Sequence, residues 1–275
     1  MSATEIPASL VKELRTRTGA GMMDSKRALV ETGGDVEAAA KLLKEKGLAE
    51  AGKRAGRETT EGKVLARLDD GRGAIVAVGC ETEPVSNNEE FLAFAERLLD
   101  LTEAEGPDAA GQLEDERVAL VAKLGENIVV AGAERYVAVD EEVVAAYVHP
   151  PAAKIGVLVR AEARPELARL VAMHIAAARP TTVRREDIPE ADVAAERAIY
   201  EKLPEVTSKP EQLRPRIVEG MLDKRFFAQH ALLDQDWIHD PSLTVGRALA
   251  EHGAEVRAFA LYNVGERAAR EPWAC

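Results

Sequence analysis

The feature that most constrains this chain is a pattern of elements that occurs twice. The first copy opens with two strands, Lys63–Leu68 and Ala74–Glu81, around the turn Asp69-Asp70-Gly71-Arg72-Gly73. Asp and Gly are the residues a tight hairpin demands, because its central positions need positive φ. A helix follows from about Asn88, with Phe91, Phe94, Ala95 and Leu98 spaced to share one face. A second helix over about Gln112–Leu124 stops at Gly125, and the strand Ile128–Val139 closes the copy. The second copy keeps the order. It has Val144–His149 and Lys154–Ala161 around Pro150-Pro151, then a helix Pro165–Ala178 carrying Leu167, Leu170, Val171 and His174 inward. A later helix, Val245–His252, stops at Gly253, and the strand Glu255–Val264 closes it. The two breaks read alike: Leu124-Gly125-Glu126-Asn127-Ile128 against His252-Gly253-Ala254-Glu255-Val256. Sequence-adjacent strands joined by short turns pair antiparallel, so the pattern predicts an α+β core of two subdomains of one design.

Two further units flank or interrupt this core. Residues 181–235 carry two helical patterns, Pro189–Leu203 and Pro210–Leu233, joined by the proline-bounded connection Lys202 to Pro210. They predict an inserted antiparallel helical hairpin, which serves either as a dimer contact or as a solvated arm. At the front, Pro7 suits a helix start. Leu10, Val11 and Leu14 share a face, and Gly19 is a stop before a second helix from Met22 to Val30. Asp35 is an N-cap for a third helix carrying Val36, Ala39, Ala40, Leu42 and Leu43, with Gly47 expected to end it. Residues 48–62 read as a linker, although Leu48 to Arg57 also fits an extension of that helix. The adjacent Met22 and Met23 fit either core filling or an adaptable binding surface.

The sequence excludes several function classes. With 275 residues and a formal net charge of −12, the chain lacks the basic balance that gripping a phosphate backbone requires. No direct nucleic-acid partner is expected, and no membrane association, since no apolar run reaches bilayer length. The two cysteines, Cys80 and Cys275, form neither a metal-ligand pattern nor a disulfide framework. Cys80 reads as a buried thiol, and a reducing, cytoplasmic setting is expected. Neither a nucleotide-binding Gly-x-x-x-x-Gly-Lys-Ser/Thr loop nor a Gly-x-Ser-x-Gly elbow or His-Glu-x-x-His motif occurs. Glu81, Glu83, Glu89 and Glu90 have the donor chemistry of a hard-metal site. Pro84, however, argues that the strand stops there, and Glu89-Glu90 suit a helix start. The expectation is no metal, no cofactor and no enzymatic activity.

The block Leu10–Leu29, LVKELRTRTGAGMMDSKRAL, closely resembles the N-terminal signature of the bacterial elongation factor Ts family. Further matches lie at Glu116–Ile128, at Tyr147-Val148-His149 with Lys154–Val159, and at Leu243–Val264, so the resemblance runs from about Ile6 to Glu266. It implies guanine-nucleotide exchange on the translational GTPase elongation factor Tu, by binding rather than by covalent chemistry. It also implies a UBA-like N-terminal bundle and a coiled-coil character for the inserted hairpin. The corresponding division is 1–54 for the docking bundle, 55–140 and 141–180 plus 236–266 for the two core subdomains, 181–235 for the hairpin, and 267–275 for a short tail. Some relatives extend into a further C-terminal helix, whose lack here implies a smaller grip.

The resemblance assigns GTPase contacts to Arg15, Met22, Met23 and Lys26 in the bundle, to Leu124 and Gly125, and to His149. It places a loop that disturbs the partner's Mg²⁺ site at Thr82, Glu83, Pro84 and Val85, where the family carries Thr-Asp-Phe-Val. Glu83 keeps the charge with one more methylene, whereas Pro84 removes the aromatic ring and stiffens the loop. Read without the family, this loop is a strand-to-helix turn with Asn88 as N-cap, Gly125 a helix stop, and His149 a solvated turn residue. His174 reads as a satisfied core residue. The competing expectation is a partner that holds the GTPase without driving exchange.

Overall fold

The structure, a computed structural model, describes residues 6–265. Three helices come first: α1 (Ala8–Thr18), α2 (Met22–Glu31) and α3 (Val36–Arg54). The Asp35 carboxylate caps α3, accepting from the backbone N–H of Glu37 at 2.9 Å and of Ala38 at 3.0 Å. Val11, Leu14, Ala28, Leu29 and Ala39 form the buried centre of this bundle. Then come β1 (Glu61–Asp69) and β2 (Arg72–Cys80). Asp69 pairs with Arg72, so the turn is Asp70-Gly71 alone, at φ 33° and 77°. Both central residues of a type I′ turn need positive φ, which an Asp-Gly pair supplies.

The chain continues through α4 (Glu83–Ser86), α5 (Glu89–Glu105), a 3₁₀ stretch Pro107–Leu113, α6 (Glu114–Leu124) and β3 (Val129–Val137). After β4 (Glu142–Val148), β5 (Ile155–Glu162) and α7 (Pro165–Ala178) comes the inserted unit: α8 (Glu190–Tyr200), α9 (Pro204–Thr207), α10 (Arg214–Met221) and α11 (Ala228–His230). The short pair β6 (Asp236–Trp237) and β7 (Asp240–Thr244), then α12 (Val245–Ala250) and β8 (Glu255–Asn263), complete the described chain. The mixed helix and antiparallel-sheet architecture is α+β.

The duplication extends to fine detail. One sheet has the order β1-β2-β3 and the other β4-β5-β8, so in each the closing strand joins the far side of the hairpin's second strand. Each sheet also shifts register once where the closing strand pairs with that central strand: Ala131 of β3 is the extra residue opposite Ala77 and Val78, and Arg257 of β8 is the extra residue opposite Arg160 and Ala161. Alternation along the central strands then builds four layers. On β2, Ala74, Val76, Val78 and Cys80 pack with α5 and α6, through Phe91, Phe94, Leu98 and Val121. Ile75 and Ala77 point the other way and meet Val64 and Leu158 between the sheets. On β5, Val157, Val159 and Ala161 pack with Val171 and Ile175 of α7 and with Leu249 of α12. A strand covered on both faces is apolar throughout, and β2 reads that way.

Three sequence expectations change in the structure. Gly47 does not end α3; the helix runs on to Arg54. Gly47 is instead buried where α3 crosses α6, and a Cβ there would already sit 3.4 Å from Val118 Cγ1. The glycine thus serves close packing rather than termination, and half of the expected linker is helix. The inserted helices are shorter than expected. Pro204 opens the separate turn α9, and Pro215 lies in the first turn of α10, where its missing N–H is tolerated. From Arg214 the helix continues through a wide π-type stretch, Leu222–Phe227, to His230, and Ala231 ends it in extended backbone. The unit has its own small core of Tyr200, Val206, Val218, Met221 and Leu222. Finally, the β6–β7 pair adds strands where the sequence carries no strand expectation. Among the described residues no helix is long and apolar enough to cross a membrane.

Candidate partner-binding site

The segment after β2 is where the two copies diverge. In the second copy β5 runs almost directly into α7, with Glu162 still paired to Glu255. In the first, pairing with β3 stops at Gly79, and residues 82–88 intervene before α5. Pro84 lies in the first turn of α4, so the expected loop is a single helical turn whose entry is stiffened by proline's fixed φ. The Ser86 hydroxyl donates to the Glu83 carbonyl at 2.9 Å. Asn88 then caps α5, accepting from Glu90 N–H at 2.9 Å and from Phe91 N–H at 3.4 Å. Thr82, Glu83 and Pro84 are exposed, and Val85 is half-buried against the core beneath α5 and α6.

Leu124 and Gly125 lie beside this turn. Gly125 terminates α6 at φ 76°, donating its N–H to the Val121 carbonyl. That left-handed residue swings the chain so that Glu126 and Asn127 face the end of β2. The Glu126 carboxylate accepts from the N–H of Glu81 at 3.1 Å, from the N–H of Thr82 at 3.0 Å and from the Thr82 hydroxyl at 2.5 Å. In return the Glu81 carboxylate accepts from Asn127 N–H at 2.7 Å, while Arg57 approaches it at 3.4 Å. Asn127 Nδ2 donates to the Arg57 carbonyl at 2.9 Å. Sequence reasoning misses Glu126 and Asn127 as functional candidates, and it reads Glu81 only as a metal donor. Their one signal in the sequence is their place at a strand end and after a helix stop.

Cys80 is fully buried, as expected, and its thiol donates to the Thr82 carbonyl at 3.3 Å. Burial, aided by the nearby Glu126 charge, pushes that thiol up to about 12, so it stays protonated and inert. Cys275 lies outside the described residues, as does the tail 267–275. The acidic residues around the turn do not converge: among the described residues no group of three His, Cys, Asp or Glu could hold a metal ion.

The bundle residues form a separate region. Met22 and Met23 are 59% and 62% exposed, which decides between core filling and surface in favour of surface. Arg15 and Lys26 are exposed as well. Helices α1 and α2 pack on the first half of α3, through Ala39, Ala40, Leu42 and Leu43. The second half of α3 packs on the core, with Ala51 against the cluster under α5 and α6. With 19 residues, α3 is about 28 Å long and joins the bundle on its first half to the core on its second.

His149 is exposed at the tip of the β4–β5 hairpin, its Nδ1 hydrogen-bonded to Tyr147 Oη at 2.8 Å. Together with Thr60 and Lys154 it lines a shallow cleft. The Thr60 hydroxyl donates to the Glu81 carbonyl at 3.5 Å, and Lys154 pairs with Glu61 at 2.6 Å. His149 and the Thr82–Val85 turn therefore sit at the same end of the two-sheet core, bridged by the start of β1. His174, in contrast, is fully buried. Its Nδ1 accepts from Ile238 N–H at 3.3 Å and its Nε2 donates to Gln235 Oε1 at 3.0 Å.

A sequence model of the family described as Elongation factor TS matches residues 81–266. The proteins named Elongation factor Ts from Escherichia coli (strain SE11) and from Shigella boydii serotype 18 are each 41% identical over 269 residues, covering 95% of this chain and 92% of theirs. A family match across more than half of the chain, with that identity over nearly all of it, is decisive: the chain belongs to the elongation factor Ts family.

Proposed function

We propose that this chain binds elongation factor Tu and promotes release of GDP during translation elongation, acting by binding alone. The observation that carries the reading is a stiff, exposed Thr82-Glu83-Pro84 tip clasped beside Leu124 and Gly125, on a chain of this family. A factor that prefers the empty GTPase must weaken nucleotide binding by the same factor, because coupling between two ligands is reciprocal. Met22, Met23, Arg15 and Lys26 supply one contact region. The Thr82–Val85 turn, Leu124, Gly125 and His149 supply a second at the end of the core. Pressing on the partner's Mg²⁺ ligands is effective because Mg²⁺ demands near-octahedral geometry. Glu83 adds like-charge repulsion toward the phosphates. In the same reading the bundle is UBA-like, the 181–235 hairpin is a short coiled coil and the compartment is the cytoplasm. No nucleic acid is contacted directly.

A second reading, a partner that holds the GTPase without exchange, is favoured by one observation: Pro84 offers no aromatic ring at the tip. Stopped-flow release of labelled GDP from elongation factor Tu separates the two. The expected result is acceleration by the wild-type chain, slower release with Glu83→Ala and faster release with Pro84→Phe. Binding with no change in release rate establishes the holder.

A further inference from the structure

The geometry points to Glu126 as the positioning residue of the exchange turn: its carboxylate, not the strand ladder, sets the angle at which Thr82–Pro84 leaves the sheet. This rests on the exchange reading above and deepens it. The second copy of the fold serves as an internal control. Aligned by their register shifts, the two copies end their ladders at Gly79 opposite Val129 and at Glu162 opposite Glu255. In the second copy the side chains at that edge serve one another. Glu162 accepts from Arg257 at 2.7 Å, and Glu255 pairs with Arg257 and Arg184. Among the described residues, the second copy thus builds the same sheet and helix with no carboxylate accepting from the backbone that follows the strand.

Only the first copy inserts residues 82–88, and among the described residues it is there that a carboxylate replaces the missing rungs. Glu126 takes two successive backbone N–H groups, at 3.1 and 3.0 Å, and the Thr82 hydroxyl at 2.5 Å. The reciprocal bond from Asn127 N–H to Glu81 at 2.7 Å makes the clasp two-sided. The clasp therefore belongs to the inserted turn, not to the repeated fold. A misplaced contact of about 1 Å is enough to cost orders of magnitude in a geometry-dependent step.

The test uses the full chain and three variants. Glu126→Ala removes the clasp, Glu126→Asp keeps the charge but falls one methylene short, and Glu126→Gln keeps the reach and an acceptor oxygen without the charge. GDP release from elongation factor Tu is followed against factor concentration, separating the maximal rate from the half-saturating concentration. The maximal rate is expected to fall about tenfold or more for Ala and Asp, with half-saturation moved by less than about threefold, while Gln stays within about threefold of wild type. Amide hydrogen exchange on the free proteins is expected to quicken at Glu81 and Thr82 in the Ala and Asp variants alone. Unchanged maximal rates overturn the inference, as does an equal loss in rate and affinity, which marks a direct contact. A wild-type chain that fails to accelerate release sinks the functional reading instead. In that case unchanged protection of the two amides in the Ala and Asp variants still shows that Glu126 does not position the turn.

Discussion

Replacing Gly156 by alanine tests whether the two duplicated sheets are stacked as closely as the structure has them. Gly156 opens the buried stretch of β5, and a Cβ built there falls 2.4 Å from Val64 Cγ1 and 3.2 Å from Ile75 Cδ1. Ordinary carbon contacts are about 3.5 Å or longer, so Val64 must retreat by roughly 1 Å. It has nowhere to go. Val64 is 2% exposed, its N–H is bonded to the Ala153 carbonyl at 2.6 Å, and Ile75, Ala77 and Leu158 close around it with no exposure at all. Overpacking of this kind costs about 1–3 kcal/mol. Val64→Ala alone removes two methyl groups and costs roughly 2 kcal/mol. In the double variant the methyl introduced at position 156 enters the space that the Val64 side chain vacated, so the pair is less harmful than the sum by about 1–2 kcal/mol. Urea titration of the wild type, both single variants and the double, at constant slope, measures this directly. A neutral Gly156→Ala, or strictly additive losses, refutes the close stacking of the sheets at this point.

Ser25 Oγ is buried in the bundle with no hydrogen-bond partner among the described residues, so Ser25→Ala should raise stability by roughly 1 kcal/mol in a denaturant titration. His174 is held below its ordinary pKa by burial. Its unfolded form therefore takes up a proton first as pH falls below about 6.5, and stability that is complete above that pH declines by at most about 1.4 kcal/mol per unit. Unfolding midpoints at pH 7.5 and pH 5.5 should differ less in His174→Gln. Because Met22 and Met23 are over half exposed, replacing both with alanine should leave stability within about 0.5 kcal/mol. Affinity for elongation factor Tu should nonetheless fall about tenfold, as measured by titration calorimetry.

The amino-acid order by itself determined most elements of the core and that their pattern recurs. Asp70-Gly71 makes a hairpin, Asn88 and Asp35 start helices, and Gly125 stops one, because each effect is settled by residues within a turn of one another. The same locality made the prolines readable as boundaries, including Pro165 at the start of α7. The tertiary structure alone decided what depends on residues far apart. Gly47 looks like a helix stop until α6 is laid against it, and the Met pair fits core or surface until the bundle closes over Leu14 and Leu29 instead. The glutamate clasp joins positions that are 44 and 45 residues apart and that no periodicity marks. Local conformational preference acts through neighbouring backbone and survives in a string of letters. Packing and the pairing of buried or strand-end polar groups act through space, and only the folded chain brings those partners together.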